Sequence, residues 1–205
     1  WVDETILIAP SWGKDNLLEL VGKQIIESIR KPGRRIIVRP HPCFFLPIYP
    51  IGKRIVAEIE MAFANDSNVV IETSTMNEDS FHEADVMISD WSGAAFEYSL
   101  GTERPVIFID VPRKILNPFW DKLDIIPFEQ RLRHQIGQVV GVSEISTLNV
   151  VIAELRSSRE KYRAIINEIR LEQIYNFGQS DDKAASVLIK LLGSQTSPRL
   201  EDHSV

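Results

Sequence analysis

The stretch ADVMISDWSGAAFEYSLGTERPVIFID, residues 84–110, contains two short apolar runs separated by one helical segment. The runs VMIS (86–89) and PVIFID (105–110) are continuously apolar, which is typical of strands in a parallel sheet that helices cover on both faces. The small residues Ser92 and Gly93 precede the helical segment. This order of strand, helix and strand predicts one unit of an α/β fold.

The same alternation occurs upstream of this stretch. Apolar runs and helical periods follow one another at residues 5–9, 17–29, 35–38, 51–63 and 68–71. We therefore predict an α/β fold, with a doubly wound, Rossmann-like parallel sheet and helices on both faces. Beyond about residue 145 only helical spacing continues. We expect residues 1–145 to form the Rossmann-like domain, 146–193 to be helices that complete it, and 194–205 to be a disordered tail.

Composition and charge limit the classes of function. The chain has 205 residues, of which 44% are hydrophobic and 25% charged, as in an ordinary globular domain. Its net charge of −6 argues against nucleic acid as the main partner. With Cys43 as its single cysteine, the chain has no internal disulfide, and no apolar run reaches the ~18 residues of a membrane span. We expect a cytoplasmic protein without a metal or a cofactor.

Polar residues follow the apolar runs, and the carboxyl ends of the strands in an open α/β sheet are where ligands bind. Strand ends of a parallel sheet share one edge, so we expect these residues to converge there. The candidates are Ser11 and Lys14 after the first run, Arg39 and His41 after the second, Thr73, Ser74 and Thr75 after the third, and Ser89, Asp90, Ser92 and Gly93 after the fourth.

The predicted helix that begins near Ser92 or Gly93 favours a phosphate ligand. Its first backbone N–H groups and the positive end of its dipole attract an anion, and small residues allow close approach. Ser89 and Ser92 add hydroxyls, while Asp90 either caps the helix or holds the loop. Glu97, one turn further on, is placed to accept hydrogen bonds from a ribose diol. The alternative is that Asp90 and Ser92 are helix caps only.

The segment VRPHP, residues 38–42, supplies a second pair of candidates. Arg39 and His41 lie two residues apart on one side of an extended segment that prolines stiffen. Arg39 offers a bidentate contact to a phosphate, and His41 a hydrogen-bond donor or a proton carrier. The alternative is a surface loop with a solvated arginine and a packed histidine.

Several other residues have two interpretations. His82 lies among acidic residues that suggest either a metal site or, more simply, a solvated turn. The aromatic residues Phe119, Trp120 and Phe128 either flank a ligand or pack a helix onto the sheet.

Three segments resemble a known family. ILIAPSWGK (6–14), IVRPHP (37–42) and the stretch at 84–110 are similar, in sequence and in order, to the three motifs of the CDP-glycerol glycerophosphotransferases, the teichoic-acid polymerase and primase family. The resemblance covers about residues 5–112. It implies the C-terminal, donor-binding domain of a two-domain GT-B enzyme. The chain begins at Trp1 almost directly on a strand, and we expect an N-terminal acceptor domain elsewhere in a longer protein.

The resemblance also implies roles for individual residues. Lys14, Arg39 and His41 are expected at the donor pyrophosphate, and Ser89 to Gly93 at the helix start that binds the same phosphates. Glu97 is expected at the ribose, and Thr73 to Thr75 at the base or the interdomain cleft.

The implied reaction is attack of an acceptor hydroxyl on the β-phosphate of CDP-glycerol, with CMP leaving and with Arg39 and His41 as catalytic residues. The acceptor is a polyol phosphate or a glycan of a teichoic-acid or capsule-like polymer, and the isolated domain is expected to be inactive. Any membrane contact is expected through the rest of the parent protein, at the cytoplasmic face.

The chain departs from the family pattern at Gly93, which replaces a serine, and at Gly13, which separates Trp12 from Lys14. Two alternatives therefore stay open. The first is the donor domain of a GT-B sugar-nucleotide glycosyltransferase or epimerase, and the second is a non-catalytic domain of that fold.

Overall fold

A computed structural model describes residues 2–74, 78–115, 117–122 and 124–194. The predictions made for Thr75 and for the tail lie outside these residues, apart from Ser194 at the end of the last helix. Within the described part, the strands are β1 (Glu4–Ile8), β2 (Arg34–Val38), β3 (Val69–Ile71), β4 (Val86–Ser89), β5 (Val106–Asp110) and β6 (Gly137–Gly141). The helices are α1 (Leu17–Ile29), α2 (Gly52–Phe63), α3 (Asp79–Glu83), α4 (Ala94–Thr102), α5 (Phe128–Leu132), α6 (Leu148–Ser157), α7 (Arg159–Gln173) and α8 (Ser180–Ser194).

The six strands form one sheet in the order β3-β2-β1-β4-β5-β6. All five neighbouring pairs are parallel. Such a sheet is wound in both directions from its centre, since β1 leads outward to β2 and β3 while β4 leads outward to β5 and β6. The predicted fold class, a doubly wound α/β sheet, is confirmed.

Helices cover both faces of the sheet. On one face, Ile8 of β1, Ile25 of α1 and Ile152 of α6 belong to a single cluster of fully buried side chains. On the other face, Phe108 of β5 lies against Phe96 of α4, with ring centroids 5.8 Å apart. Each such side chain contributes roughly 1.5–3 kcal/mol when it is fully buried. Burial on both faces is the reason why the strands are continuously apolar.

The edge strand β6 was not among the predicted strands. Its sequence GQVVG has two glycines and only two apolar residues in five, so its periodicity is weak. Gly137 is needed for the pairing, because a Cβ at this position would collide with the backbone carbonyl of Val106 on β5. A residue that weakens the sequence pattern thus permits the strand to form.

The residues fall into two compact units, Trp1–Asn167 and Glu168–Val205. The first unit contains the whole sheet and α1 to α6. Within it, Leu148, Ile152 and Leu155 of α6 are fully buried. We propose on this basis that α6 completes the Rossmann-like domain, as the sequence predicts. In the second unit, the described residues form the end of α7 and all of α8. None of the described helices combines the length and the apolar character that a membrane crossing requires.

Candidate functional site

The centre of the sheet is where the chain changes direction. After β1 it turns through α1 toward β2, and after β4 it turns through α4 toward β5, on the opposite side. The two loops therefore diverge at the carboxyl ends of β1 and β4, where the ligand crevice of this class of sheet usually lies. The hydroxyl of Ser89 donates to the carbonyl of Ala9 at 2.6 Å and joins the two strand ends.

Asp90 holds the loop after β1. Its side chain is fully buried, and its Oδ1 accepts a hydrogen bond from the Ser11 amide at 2.6 Å. Its Oδ2 accepts from the Leu17 amide at 2.9 Å, at the start of α1. Of the two roles predicted for Asp90, the structure therefore shows the loop contact, and the helix that Asp90 caps is α1 rather than α4.

The start of α1 is closed to a ligand. Asn16 is fully buried, and its Oδ1 accepts from the amides of Leu18 and Glu19 at 2.9 and 3.2 Å. Together with Asp90 on Leu17, it satisfies the first three amides of the helix. Gly13, with φ of +91°, provides the left-handed turn of the preceding loop. No phosphate is needed to complete this helix end.

The start of α4 is open by comparison. Its N-cap residue Gly93 makes no capping hydrogen bond, and a Cβ built there meets nothing within 4 Å. The amides of residues 95–97 donate to the carbonyls of Ser92 and Gly93. The amides of Gly93 and Ala94 have no partner among the described residues. Ser92 is buried beside them. Unpaired amides and the helix dipole are features that favour an anion at a helix start.

Two polar atoms near the crevice are buried without a hydrogen-bond partner among the described residues. They are the hydroxyl of Ser11, whose residue is 5% exposed, and the ammonium of Lys114, from the segment after β5. The ammonium lies close to the loop after β1, since a Cβ at Gly13 would be 3.8 Å from its Nζ. Burial lowers the pKa of Lys114, although the charges of Asp90 and Glu19 raise it.

His41 is held as a hydrogen-bond donor. It begins a short 3₁₀ turn, Pro42–Phe45, and its Nδ1 accepts from the Cys43 amide at 3.1 Å. That contact places the proton on Nε2 in the neutral ring. Burial and then the charge of Lys114 lower the pKa of His41, so the neutral form is favoured. Of the two roles predicted for His41, this geometry favours the donor.

The turn that carries His41 is anchored from two sides. The His41 ring lies 6.1 Å from the ring of Trp12 in the loop after β1. Gly52 allows α2 to approach the turn, because a Cβ there would collide with the backbone of Phe44. The position of His41 therefore depends on contacts to the loop after β1 and to α2, which lie outside its own motif.

Arg39 makes contacts toward the β3 edge of the sheet, away from its centre. Its Nη1 lies 3.2 Å from the Glu72 carboxylate and donates to the Ser80 hydroxyl at 2.9 Å. Its guanidinium also lies 5.1 Å from the centre of the Phe81 ring. Arg39 thus joins the end of β2 to residues after β3, and its contact with a phosphate stays a prediction.

The remaining predicted residues lie at the surface. The Lys14 side chain is 86% exposed, with its ammonium 3.9 Å from Asp15. Thr73 and Ser74 are exposed after β3, which is separated from β1 by β2. Glu97 is exposed one turn into α4. The structure therefore brings Ser11, Ser89, Asp90, Ser92, Gly93 and His41 to the central strand ends and their adjoining loops, and it adds Lys114, to which the sequence analysis assigned no role.

A signal for Lys114 is present in the sequence. It follows the fifth apolar run, in VPRK (111–114), and the carboxyl end of that strand shares the edge with the others. The path of the loop back toward Gly13 depends on tertiary contacts. One is the hydrogen bond that the Trp91 indole donates to the Val111 carbonyl at 3.0 Å.

The other residues with two interpretations are placed as follows. Phe128 packs against Phe96, with ring centroids 6.1 Å apart. Phe119 is 59% exposed, and the ring centre of Trp120 lies 4.3 Å from the guanidinium carbon of Arg113. His82 is exposed, and the part of the chain that the structure describes contains no group of three histidine, cysteine, aspartate or glutamate residues able to hold a metal.

Comparison with known proteins identifies the fold. No protein-family model matches the sequence, and no curated protein matches it. Among solved structures, the chain resembles the glycotransferase of kitacinnamycin at 13% identity, over 83% of this chain and 40% of that one, with a TM-score of 0.51. It also resembles sucrose-phosphate synthase from Thermosynechococcus elongatus at 12% identity, over 94% of this chain and 46% of that one, with a TM-score of 0.51.

This chain thus spans less than half the length of either protein. At these identities the likeness concerns the fold alone. The fold is that of the Rossmann-like domains found in GT-B proteins.

Proposed function

We propose that this chain is the nucleotide-donor-binding domain of a transferase. The observation that carries the proposal is the open N-terminus of α4, together with the buried hydroxyl of Ser11, which has no hydrogen-bond partner among the described residues, at the central strand ends. A diphosphate supplies the acceptor oxygens and the negative charge that these donors lack. Glu97, one turn along α4, is available for the ribose hydroxyls of the same nucleotide.

For the transferred group we propose glycerol phosphate, with CDP-glycerol as the donor. This finer assignment rests on the three sequence motifs, two of which, at residues 6–14 and 84–110, meet at the crevice. A related polyol phosphate is chemically equivalent at this site. The acceptor is a hydroxyl of a cell-surface polymer of the teichoic-acid or capsule type, bound by another part of the parent protein.

The reaction is a displacement at phosphorus. The oxygen of the acceptor hydroxyl bonds to the β-phosphorus while its proton passes to a base on the acceptor-binding part of the parent protein. The bond from that phosphorus to the bridging oxygen breaks, and CMP leaves with the electron pair. Amides of α4 and the Nε2–H of His41 stabilise the charge that builds on the phosphate oxygens. The Nδ1 of His41 already accepts from Cys43, so we assign His41 as a donor and not as the base for the hydroxyl proton.

Calorimetric titration of the 205-residue chain with CMP, CDP-glycerol, UDP and UDP-GlcNAc tests the proposal. We expect cytidine-selective binding that His41→Ala weakens about tenfold, because one hydrogen bond to a charged group is lost. His134→Ala is the matched control. His134 is exposed near the amino end of β6, whereas the proposed site lies at the carboxyl ends of the central strands.

Preference for the uridine compounds would replace the proposal with a sugar-nucleotide transferase or epimerase. In that reaction the acceptor attacks the anomeric carbon and a nucleoside diphosphate leaves. Absence of binding to any of the four compounds would overturn donor binding by this chain and favour a non-catalytic domain.

A further inference from the structure

We propose that Lys114 is the cation that binds the pyrophosphate of the donor, an inference that rests on the proposed function of the crevice. The sequence motif points instead to Lys14. The two lysines differ in their surroundings, since the Lys14 side chain is 86% exposed while the Lys114 ammonium is buried.

The ammonium of Lys114 lacks the partners that a purely structural lysine has. It makes no hydrogen bond among the described residues, and a buried charge without a partner costs free energy of folding. The buried Lys–Glu or Arg–Glu contacts typical of structural roles do occur elsewhere in this chain, as between Arg34 and Glu4 at 2.5 Å. Lys114 is therefore a donor that a ligand can complete.

The two carboxylates that raise the pKa of Lys114, Asp90 and Glu19, make hydrogen bonds to other groups. Both oxygens of Asp90 accept from backbone amides, those of Ser11 and Leu17. Glu19 accepts at its Oε2 from the Asp15 amide at 2.8 Å and from the Tyr49 hydroxyl at 2.9 Å. These carboxylates provide a favourable field for the ammonium without forming a salt bridge to it. A pyrophosphate is able to form one.

The neighbouring donors match the same ligand. The Ser11 hydroxyl is buried without a hydrogen-bond partner in the described part of the chain, two residues before Gly13, whose backbone Lys114 approaches. The Ser11 amide donates to Asp90. The amides at the start of α4 follow β4, and β4 pairs with β1 at the centre of the sheet. A diphosphate has acceptor oxygens for all three kinds of donor, spread over two phosphate groups.

The test uses the full 205-residue chain with two probes, CDP-glycerol and inorganic pyrophosphate. We expect Lys114→Met to weaken the binding of both about 10- to 100-fold, since a charge-assisted contact in a buried site is lost. Lys122→Met is the matched control, because Lys122 lies on the same segment but is exposed, with its ammonium over the Phe119 ring at 4.6 Å. That variant should change binding by less than about twofold. Lys14→Met tests the other assignment, in which Lys14 binds the pyrophosphate.

Thermal unfolding separates binding from folding. If Lys114 is a ligand contact, Lys114→Met keeps or raises the melting temperature of the unliganded protein, because a buried unpaired charge is removed. A clear drop in melting temperature with unchanged binding would overturn the inference. So would a loss of binding in Lys14→Met with normal binding in Lys114→Met.

The two probes distinguish this inference from the proposed function. Binding of CDP-glycerol that does not depend on Lys114 overturns the inference alone. Binding of pyrophosphate that depends on Lys114, without binding of any nucleotide, overturns the proposed function alone. Binding of neither probe by the unmodified chain overturns both.

Discussion

Two helices start at the centre of the sheet, and their first turns differ in how the amides are satisfied. In α1, Asp90 and Asn16 occupy the amides of residues 17–19. In α4, no side chain of the described residues caps the first turn. The same backbone feature, a set of unpaired N–H groups, is thus completed by the protein in one helix and left open in the other. A helix start is open to a ligand only when no side chain from anywhere in the fold caps its amides.

The largest expected effect comes from Asp90→Ala, which removes both acceptors that hold the loop after β1. The amides of Ser11 and Leu17 would remain buried without partners. We expect a loss of about 3 kcal/mol in the free energy of unfolding, measured by urea denaturation. Asp90→Asn keeps one oxygen and should lose about half as much. A loss below about 0.5 kcal/mol for the alanine variant would show that water or relaxation replaces Asp90.

The second effect concerns the N-cap of α1. Asn16→Ala removes the acceptor for the amides of Leu18 and Glu19 and the donor to the Gly13 carbonyl at 2.7 Å. We expect a cost of about 1–2 kcal/mol in the same denaturation experiment. Ser158→Ala, between α6 and α7, removes a hydroxyl that makes no hydrogen bond among the described residues and should be nearly neutral. Equal effects of the two substitutions would contradict a special role for Asn16.

A third substitution closes the open helix. Gly93→Asp places a carboxylate at the start of α4, where the helix dipole favours it by about 0.5 kcal/mol. We expect a small gain in stability together with a loss of CDP-glycerol affinity of about tenfold or more, because the carboxylate competes with the phosphates. Gly93→Ser is the control, since the position is open and its φ of −59° suits any residue. Unchanged affinity in the aspartate variant would place the phosphates elsewhere.

The smallest effect is a pH dependence of binding. Burial lowers the pKa of Lys114, and the charged groups around it are Asp90, Glu19 and the titratable His41. Anion binding needs the charged ammonium, so CDP-glycerol affinity should fall as pH rises through the range in which Lys114 loses its proton, which lies below that of an ordinary lysine. Lys114→Arg should bind with little change over that range, because arginine stays charged. A parallel fall in both proteins would assign the titration to another group.

The same depressed pKa has a consequence for folding. In the unfolded chain, Lys114 binds its proton up to a higher pH than in the folded chain. The free energy of unfolding should therefore rise with pH between the folded and the unfolded pKa. Lys114→Met should lack this rise, which can be measured by urea denaturation at several pH values. The difference in stability between the two proteins should then narrow as pH increases.

Much of the fold was predictable from the sequence. The five strands with continuously apolar runs were predicted within one residue or so of their observed bounds, because burial on both faces leaves a strong local signal. Edge strand β6 and the one-turn helices α3 and α5 were not predicted, since their sequences are short and mixed. Their formation depends on neighbours, as Gly137 against Val106 shows.

The site was only partly predictable. Residues at the strand ends were identified because every strand of a parallel sheet ends at the same edge. Whether each side chain faces the crevice was not predictable, as the exposed Lys14 and the ion-paired Arg39 show. The contacts of Asp90 were not predictable either, because Ser11 and Leu17 are more than 70 residues away from it in the sequence.

By itself, the sequence determined the parallel α/β architecture, the strand-end location of the polar residues and the small residues at the start of α4. These properties depend on local periodicity and on residue type. Tertiary structure decided which helix start is closed, which lysine reaches the crevice and which nitrogen of His41 carries the proton. Those outcomes depend on contacts between segments distant in sequence and on burial, which sets the electrostatic environment of Lys114 and His41.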